Sequence, residues 1–149
     1  MNVLRPDKQI QTGEVLITTQ TPKSALTPGA VRAQPGEHLF DLRTLNQIKG
    51  GPAYSTVFGG VVEGDRLIVA LMRMPAGTVS EPHHHPNEQW IFVLEGEMES
   101  VVEGRTYRMG PGCALYIPSN AVHSGRCLDQ DAVFFTVKDT SHSLHGIKD

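Results

Sequence analysis

The sequence is poor in what several function classes require. Charged residues make up only 19% of the 149 residues and aromatics 6%. Thirteen Lys+Arg against 16 Asp+Glu leave a net charge of -3, with no basic stripe, so nucleic acid is not an expected partner. The longest apolar run, Leu67 to Met72, is six residues, far below the roughly 20 a membrane span needs. Arg5, Asp7 and Lys8 fall where a signal peptide would need an apolar core. Two cysteines without a secretory leader suggest reduced thiols in a cytoplasmic protein. Long helical periodicity is also missing.

What is present is punctuation. Gly 15 and Pro 10 follow no repeat, which points to many short elements joined by turns. Strands are expected over Glu14 to Gln20, Leu67 to Met74, Gln89 to Leu94, Met98 to Val102, Thr106 to Met109, Leu115 to Ile117 and Ala132 to Lys138, with a hairpin turn at Glu103-Gly104. Leu39 to Ile48, apolar every third residue and closed by Lys49-Gly-Gly-Pro52, reads as either a short helical stretch or an irregular loop. Val61-Val-Glu-Gly64 recurs as Val101-Val-Glu-Gly104, which two similar hairpins explain. Short strands at about ten-residue spacing without intervening helices argue an all-β sandwich or barrel. A chain of this length forms one domain and buries roughly 70% of its unfolded surface.

Histidine is in excess: there are seven, three of them consecutive. In extended backbone His83 and His85 share a face and His84 points away. Two same-face imidazoles are half of a site for a first-row divalent ion. A second segment, Gly112 to His123, supplies a proline-bounded turn and then one further histidine able to return to the same interior.

These two segments resemble the paired motifs of the cupin superfamily. Gly77, His83, His85, Gln89 and Gly96 keep the spacing of the first motif, with Gln89 where a Glu is usual. Gly112, Pro118, Asn120, His123 and Cys127 keep that of the second, with Asn120 in place of Gly and Cys127 in place of Asn. The match covers about residues 55 to 137, a little over half the chain. The resemblance implies a cupin double-stranded β-helix, a jelly-roll barrel over 55–138, preceded by an extension over 1–54 and followed by a polar tail over 139–149. It implies one divalent transition metal (Mn, Fe, Ni, Co or Zn) on His83, His85, Gln89 and His123. An alternative register with a bulge would put Glu88 in the ligand position, against the spacing. It also implies a homodimer, in which a strand at Val15 to Thr19 extends a partner's sheet.

Other side chains carry two readings each. Glu81, two before His83, either faces the cavity as a proton carrier or is a surface carboxylate. Arg73 either pairs a substrate carboxylate or is a strand-edge charge. Tyr116 either donates its hydroxyl or packs. Met72, Met74, Trp90 and Phe92 read as core and sheet packing, and Asn120 as a residue tolerant of left-handed backbone. Cys113 and Cys127, symmetric about Asn120 and so able to sit opposite one another across a hairpin, read as reduced packing thiols, with a disulfide or a reactive Cys127 as the alternatives. His142 and His145 either close the barrel mouth or lie in a solvated tail; His38 has no assigned chemistry.

Three imidazoles and an amide leave the charge of a divalent ion uncancelled, which favours an anionic partner and Lewis-acid chemistry. Gln in this position resembles small cupins that act on unsaturated uronates. The function expected is therefore a metal-dependent isomerase or lyase on a small carboxylated or hydroxylated molecule. The alternatives are an Fe(II) dioxygenase and a non-catalytic metal or ligand sensor. Three histidines at ligand spacing argue against a metal-free sugar-modifying cupin.

Overall fold

Period-two alternation of apolar and polar side chains organises the chain. In the computed structural model, which describes residues 20–149, twelve strands and no helix are found among the described residues. The strand expected over Glu14 to Gln20, and the partner-binding role given to Val15 to Thr19, fall almost wholly outside that range. The strands are β1 (Val31–Arg32), β2 (Ile48–Lys49), β3 (Phe58–Glu63), β4 (Leu67–Met74), β5 (Val79–His84), β6 (Gln89–Glu95), β7 (Met98–Val102), β8 (Arg105–Met109), β9 (Ala114–Ile117), β10 (His123–Cys127), β11 (Ala132–Asp139) and β12 (Ile147–Lys148). They form two sheets, one in the order β1-β3-β4-β11-β6-β9 with β2 also on β3, the other β12-β5-β10-β7-β8. This is an all-β jelly roll, a double-stranded β-helix.

The core lies between the sheets. β4 turns Ile68, Ala70, Met72 and Met74 inward, β11 Ala132 and Phe134, β6 Ile91 and Val93, and β7 Met98 and Val102. Each large apolar side chain so buried contributes about 1.5–3 kcal/mol. β7 and β8 are joined by a two-residue turn in which Glu103 and Gly104 both have positive φ, 49° and 79°. That geometry matches the right-handed twist of the flanking strands.

One open reading is decided and two sequence expectations are corrected. Of the two readings of Leu39 to Ile48, the loop holds: residues 39–47 have a turn at Asp41–Thr44 and lead into β2, and Leu39 is 95% exposed, because apolar residues every third position share no helical face. The loop is held close: a Cβ on Gly60 would lie 2.0 Å from the Leu42 carbonyl oxygen. Trp90 and Phe92 lie on the outer face of β6, exposed, because Gln89, Ile91 and Val93 take the inward parity. Met72 and Met74 are in the core as expected. Cys113 and Cys127 are free thiols, but they do not face one another. β9 pairs with β6 and β10 with β5 and β7, so the segments flanking Asn120 enter different sheets.

The C-terminal segment is packed rather than solvated. Leu144 is buried, and its amide donates to Thr27 Oγ1 at 2.8 Å. Asn87 Nδ2 lies within hydrogen-bonding reach of the carbonyls of Asp139, His142 and Ser143, and β12 pairs with β5. The His142 ring is in part buried, and His145 Nε2 donates to the Lys49 carbonyl at 3.0 Å.

Residues 20–33 are tied to the barrel by Glu63. Its buried carboxylate accepts from the amides of Leu26 at 2.5 Å and Thr27 at 2.9 Å. Replacing Glu63 with Ala leaves both donors without this acceptor, at about 1–3 kcal/mol for a buried unsatisfied group. Urea unfolding of Glu63→Ala should show a midpoint lowered accordingly with an unchanged slope; an unaltered midpoint would refute this role.

Candidate metal centre

The site is assembled by a bulge. In the β5–β10 ladder His123 pairs with His83 and Gly125 with Ser80, so Glu81 and Pro82 together oppose Ser124 alone. The extra residue reverses the strand's parity. Ser80 and His83 therefore both face the barrel interior, and Glu81 and Pro82 are exposed. Asn120 has a left-handed φ of 62°, and its amide donates to the His85 carbonyl at 2.8 Å, which fixes the turn before His123 against the histidine run.

His83, His85 and His123 converge: their potential ligand atoms all lie within 4.8 Å of one another, and all three side chains are buried. Each ring has one nitrogen fixed by the backbone. Nδ1 of His83 lies 2.7 Å from the Glu81 carbonyl, Nδ1 of His85 2.8 Å from that of Asn87, and Nδ1 of His123 2.8 Å from that of Ala121. A carbonyl only accepts, so in each case Nδ1 carries the proton and Nε2 presents a lone pair. Burial pushes His83 and His85 down to about 3 and His123 to about 4, with the Lys138 charge adding to the effect at all three. The rings are neutral at physiological pH.

Gln89, inward at the start of β6, completes the group. Its Nε2 donates to Thr136 Oγ1 at 2.8 Å, and Thr136 Oγ1 donates to the Trp90 carbonyl at 2.9 Å. That chain orients the amide and leaves Gln89 Oε1 aimed at His85 Nε2, 3.0 Å away. A neutral imidazole has one N–H, already given to Asn87. Two lone pairs thus meet at 3.0 Å, a repulsive contact that a cation between them resolves. The donor set, imidazoles with an amide oxygen, suits a first-row divalent ion. The residues fit a metal.

The site opens on an interior cavity of about 70 Å3, lined by His83, Gln89, His123 and Lys138, by the core methionines and by Phe134. Among the described residues no aspartate or glutamate lines it. Tyr54 stacks on His83, with ring centroids 3.9 Å apart and planes at 18°, and its hydroxyl accepts from the Gly146 amide at 2.7 Å. Sequence reasoning missed Tyr54, which precedes the first long strand, and Lys138. For Lys138 a signal existed: it has the same parity as Ala132, Phe134 and Thr136 in an alternating strand.

Three candidates stand outside the cavity, and their readings as cavity groups are corrected. Glu81 is turned out by the bulge and pairs with Lys148 at 2.9 Å. Arg73 alternates with inward Met72 and Met74 and pairs with Asp131 at 3.2 Å. Tyr116 alternates with inward Leu115 and Ile117, packs on Trp90 and donates to Glu88 Oε2 at 2.9 Å. Glu88 is itself exposed, so the alternative register does not bring it to the histidines. His84 faces away and lies 2.9 Å from Asp149 Oδ1.

Three imidazoles gathered in the bore of a jelly roll agree with the resemblance that the motif spacing carries. Residues 70–138, a little under half of the chain, match the family described as the cupin domain. It is 38% identical over 73 residues to the dimethylsulfoniopropionate lyase DddQ of Ruegeria pomeroyi, covering 48% of this chain and 36% of that enzyme. It is 28% identical over 96 residues to the oxalate decarboxylase OxdC of Bacillus subtilis, covering 61% and 25%. The chain thus spans little more than a third, or less, of the curated relatives it matches. Among solved structures it resembles the polyketide cyclase RemF of Streptomyces resistomycificus, with a TM-score of 0.61 and 25% identity over 69% of this chain and 79% of that one. No helix among the described residues is long and apolar enough to cross a membrane.

The depressed histidines set an acid sensitivity. Between its folded value and about 6.5, each ring is neutral when folded and takes up a proton on unfolding. Stability of the metal-free protein therefore falls as pH drops from 6.5 toward 4, by up to about 1.4 kcal/mol per ring per pH unit. Lys138, pushed by burial down to about 7, extends the same sign upward, with stability rising from pH 7 towards 10.5. Urea unfolding of metal-free protein at pH 7 and pH 5.5 measures this; equal stabilities would refute it.

Proposed function

We propose that this chain is a metal-dependent enzyme of lyase or isomerase type, acting on a small carboxylated or hydroxylated molecule. The observation that carries the reading is the pair of acceptors, His85 Nε2 and Gln89 Oε1, held 3.0 Å apart beside two further imidazoles. His83, His85, Gln89 and His123 would hold one divalent transition ion. Bound there, such an ion supplies a Lewis acid that polarises a substrate oxygen.

The chain's own residues provide the setting. The backbone carbonyls of Glu81, Asn87 and Ala121 hold the three rings in one tautomer, as outer hydrogen bonds do for metal-binding histidines. Tyr54 restrains the His83 ring from one face. Met72, Met74 and Phe134 form an apolar wall that limits water. With no carboxylate among the described residues that line the cavity, the charge of the ion would stay uncancelled, which favours an anionic substrate. The names of two relatives agree with that class, since dimethylsulfoniopropionate and oxalate are both small carboxylates.

Metal analysis after reconstitution should find about one equivalent per chain. His123→Ala should lose at least nine-tenths of the metal, and turnover with it, while the protein stays folded by circular dichroism. A folded wild-type protein that takes up no Mn, Fe, Co, Ni or Zn would end this reading. Oxygen uptake coupled to turnover would replace it with the dioxygenase.

We further propose a homodimer, supported by the exposed Trp90, Phe92, Leu94 and Tyr116 on one sheet face. Sedimentation at micromolar concentration should give twice the chain mass; a monomer would overturn it.

A further inference from the structure

Among the described residues that line the cavity, Lys138 is the only lysine or arginine. It occupies an inward position of β11, opposite Gln89 in the β6–β11 ladder, and is 4% exposed. Its Nζ donates to the Leu144 carbonyl at 2.6 Å. An ammonium has three N–H donors. No second hydrogen bond and no ion pair of Lys138 occurs among the described residues. Burial makes a charge without a counter-ion costly, and the same burial depresses this amine to about 7. A structural tie to one carbonyl would not require a charged group in that place.

We infer that Lys138 determines the specificity of the cavity, its ammonium holding the carboxylate of a short organic acid whose apolar remainder lies against Met72, Met74 and Phe134. The inference rests on the metal-dependent reading above and deepens it by naming the substrate class and the residue that selects it. The size is bounded as well: since one water occupies about 10–15 Å3 on this measure, a 70 Å3 cavity admits an acid of a few heavy atoms. Among the described residues the wall supplies no acidic group to repel a carboxylate, and Lys138 shares the cavity lining with His83 and His123.

Propionate and its neutral counterpart propionamide are the probes, titrated calorimetrically into zinc-loaded protein. Wild type should prefer propionate by at least tenfold. Lys138→Met and Lys138→Gln, with zinc content unchanged, should lose that preference by tenfold or more. A lysine that serves only to tie Leu144 would lower the unfolding midpoint of these variants and leave the ratio intact, which overturns the inference. The wild-type protein gives a second readout that needs no variant. With 13Cε-labelled lysine, propionate should shift the Lys138 signal in both zinc-loaded and metal-free protein, and propionamide should not. A Lys138 signal unmoved by propionate in both forms overturns the inference even if neither variant folds. A protein that takes up no zinc, yet shows the propionate shift, refutes the metal reading and sustains the lysine assignment.

Discussion

The site depends on three hydrogen bonds from imidazole Nδ1 to backbone carbonyls two residues away. Those of His83 and His123 run backward along the chain and that of His85 runs forward, so all three are made within the local segment. The rings are thereby oriented by the same backbone that orders the strands. Their Nε2 lone pairs converge because the partners of their Nδ1 protons lie outside the cluster. Gln89 is held by the same principle, its amide nitrogen committed to Thr136 and its oxygen left facing His85. The repulsion this creates is a cost to the metal-free fold and a preorganised welcome for a cation.

That local order relies on one irregularity in the ladder. Without the bulge at Glu81–Pro82, period-two alternation would put Ser80 and His83 on opposite faces. Pro82 cannot donate to a ladder, and strands tolerate proline at such bulges. Regular β5 would bring Glu81 inward beside the imidazoles, adding a carboxylate to a cavity that now has none. The same residue that breaks the strand therefore keeps the site electropositive.

The alternation and the motif spacing explain what was legible beforehand. β4 and β7 have the bounds expected from their apolar and branched runs, and the β7–β8 turn is where Glu103-Gly104 indicated. The four converging side chains were visible because fixed spacing survives the loss of three motif residues. β3 was indicated only through the hairpin read at Val61–Gly64; its Gly59 and Gly60 serve close backbone approach to Leu71 and Leu42. β10, His-Ser-Gly-Arg-Cys, has little strand propensity and owes its conformation to neighbours on both sides. The inward one of the two readings of Glu81 rests on counting two from His83, a count the bulge invalidates. Arg73 and Tyr116 were candidates by residue type, and their parity alone, beside Met72, Met74, Leu115 and Ile117, would have put them outside.

Charge balance then connects fold to chemistry. Burying Lys138 costs stability that replacement by an apolar side chain of similar length would recover, and its hydrogen bond to Leu144 offsets only part. The neutral donor set adds a second debit of the same sign when a divalent ion is present, since Gln89 stands where a carboxylate would cancel charge. Two uncompensated positive centres in one small cavity repel each other until an anion lies between them. On the proposed reading a metal and a carboxylate would be coupled ligands, each raising the affinity for the other by linkage. A Glu in place of Gln89 would hold an ion more tightly and weaken that coupling, so the neutral amide would trade metal affinity for a demand on the anion.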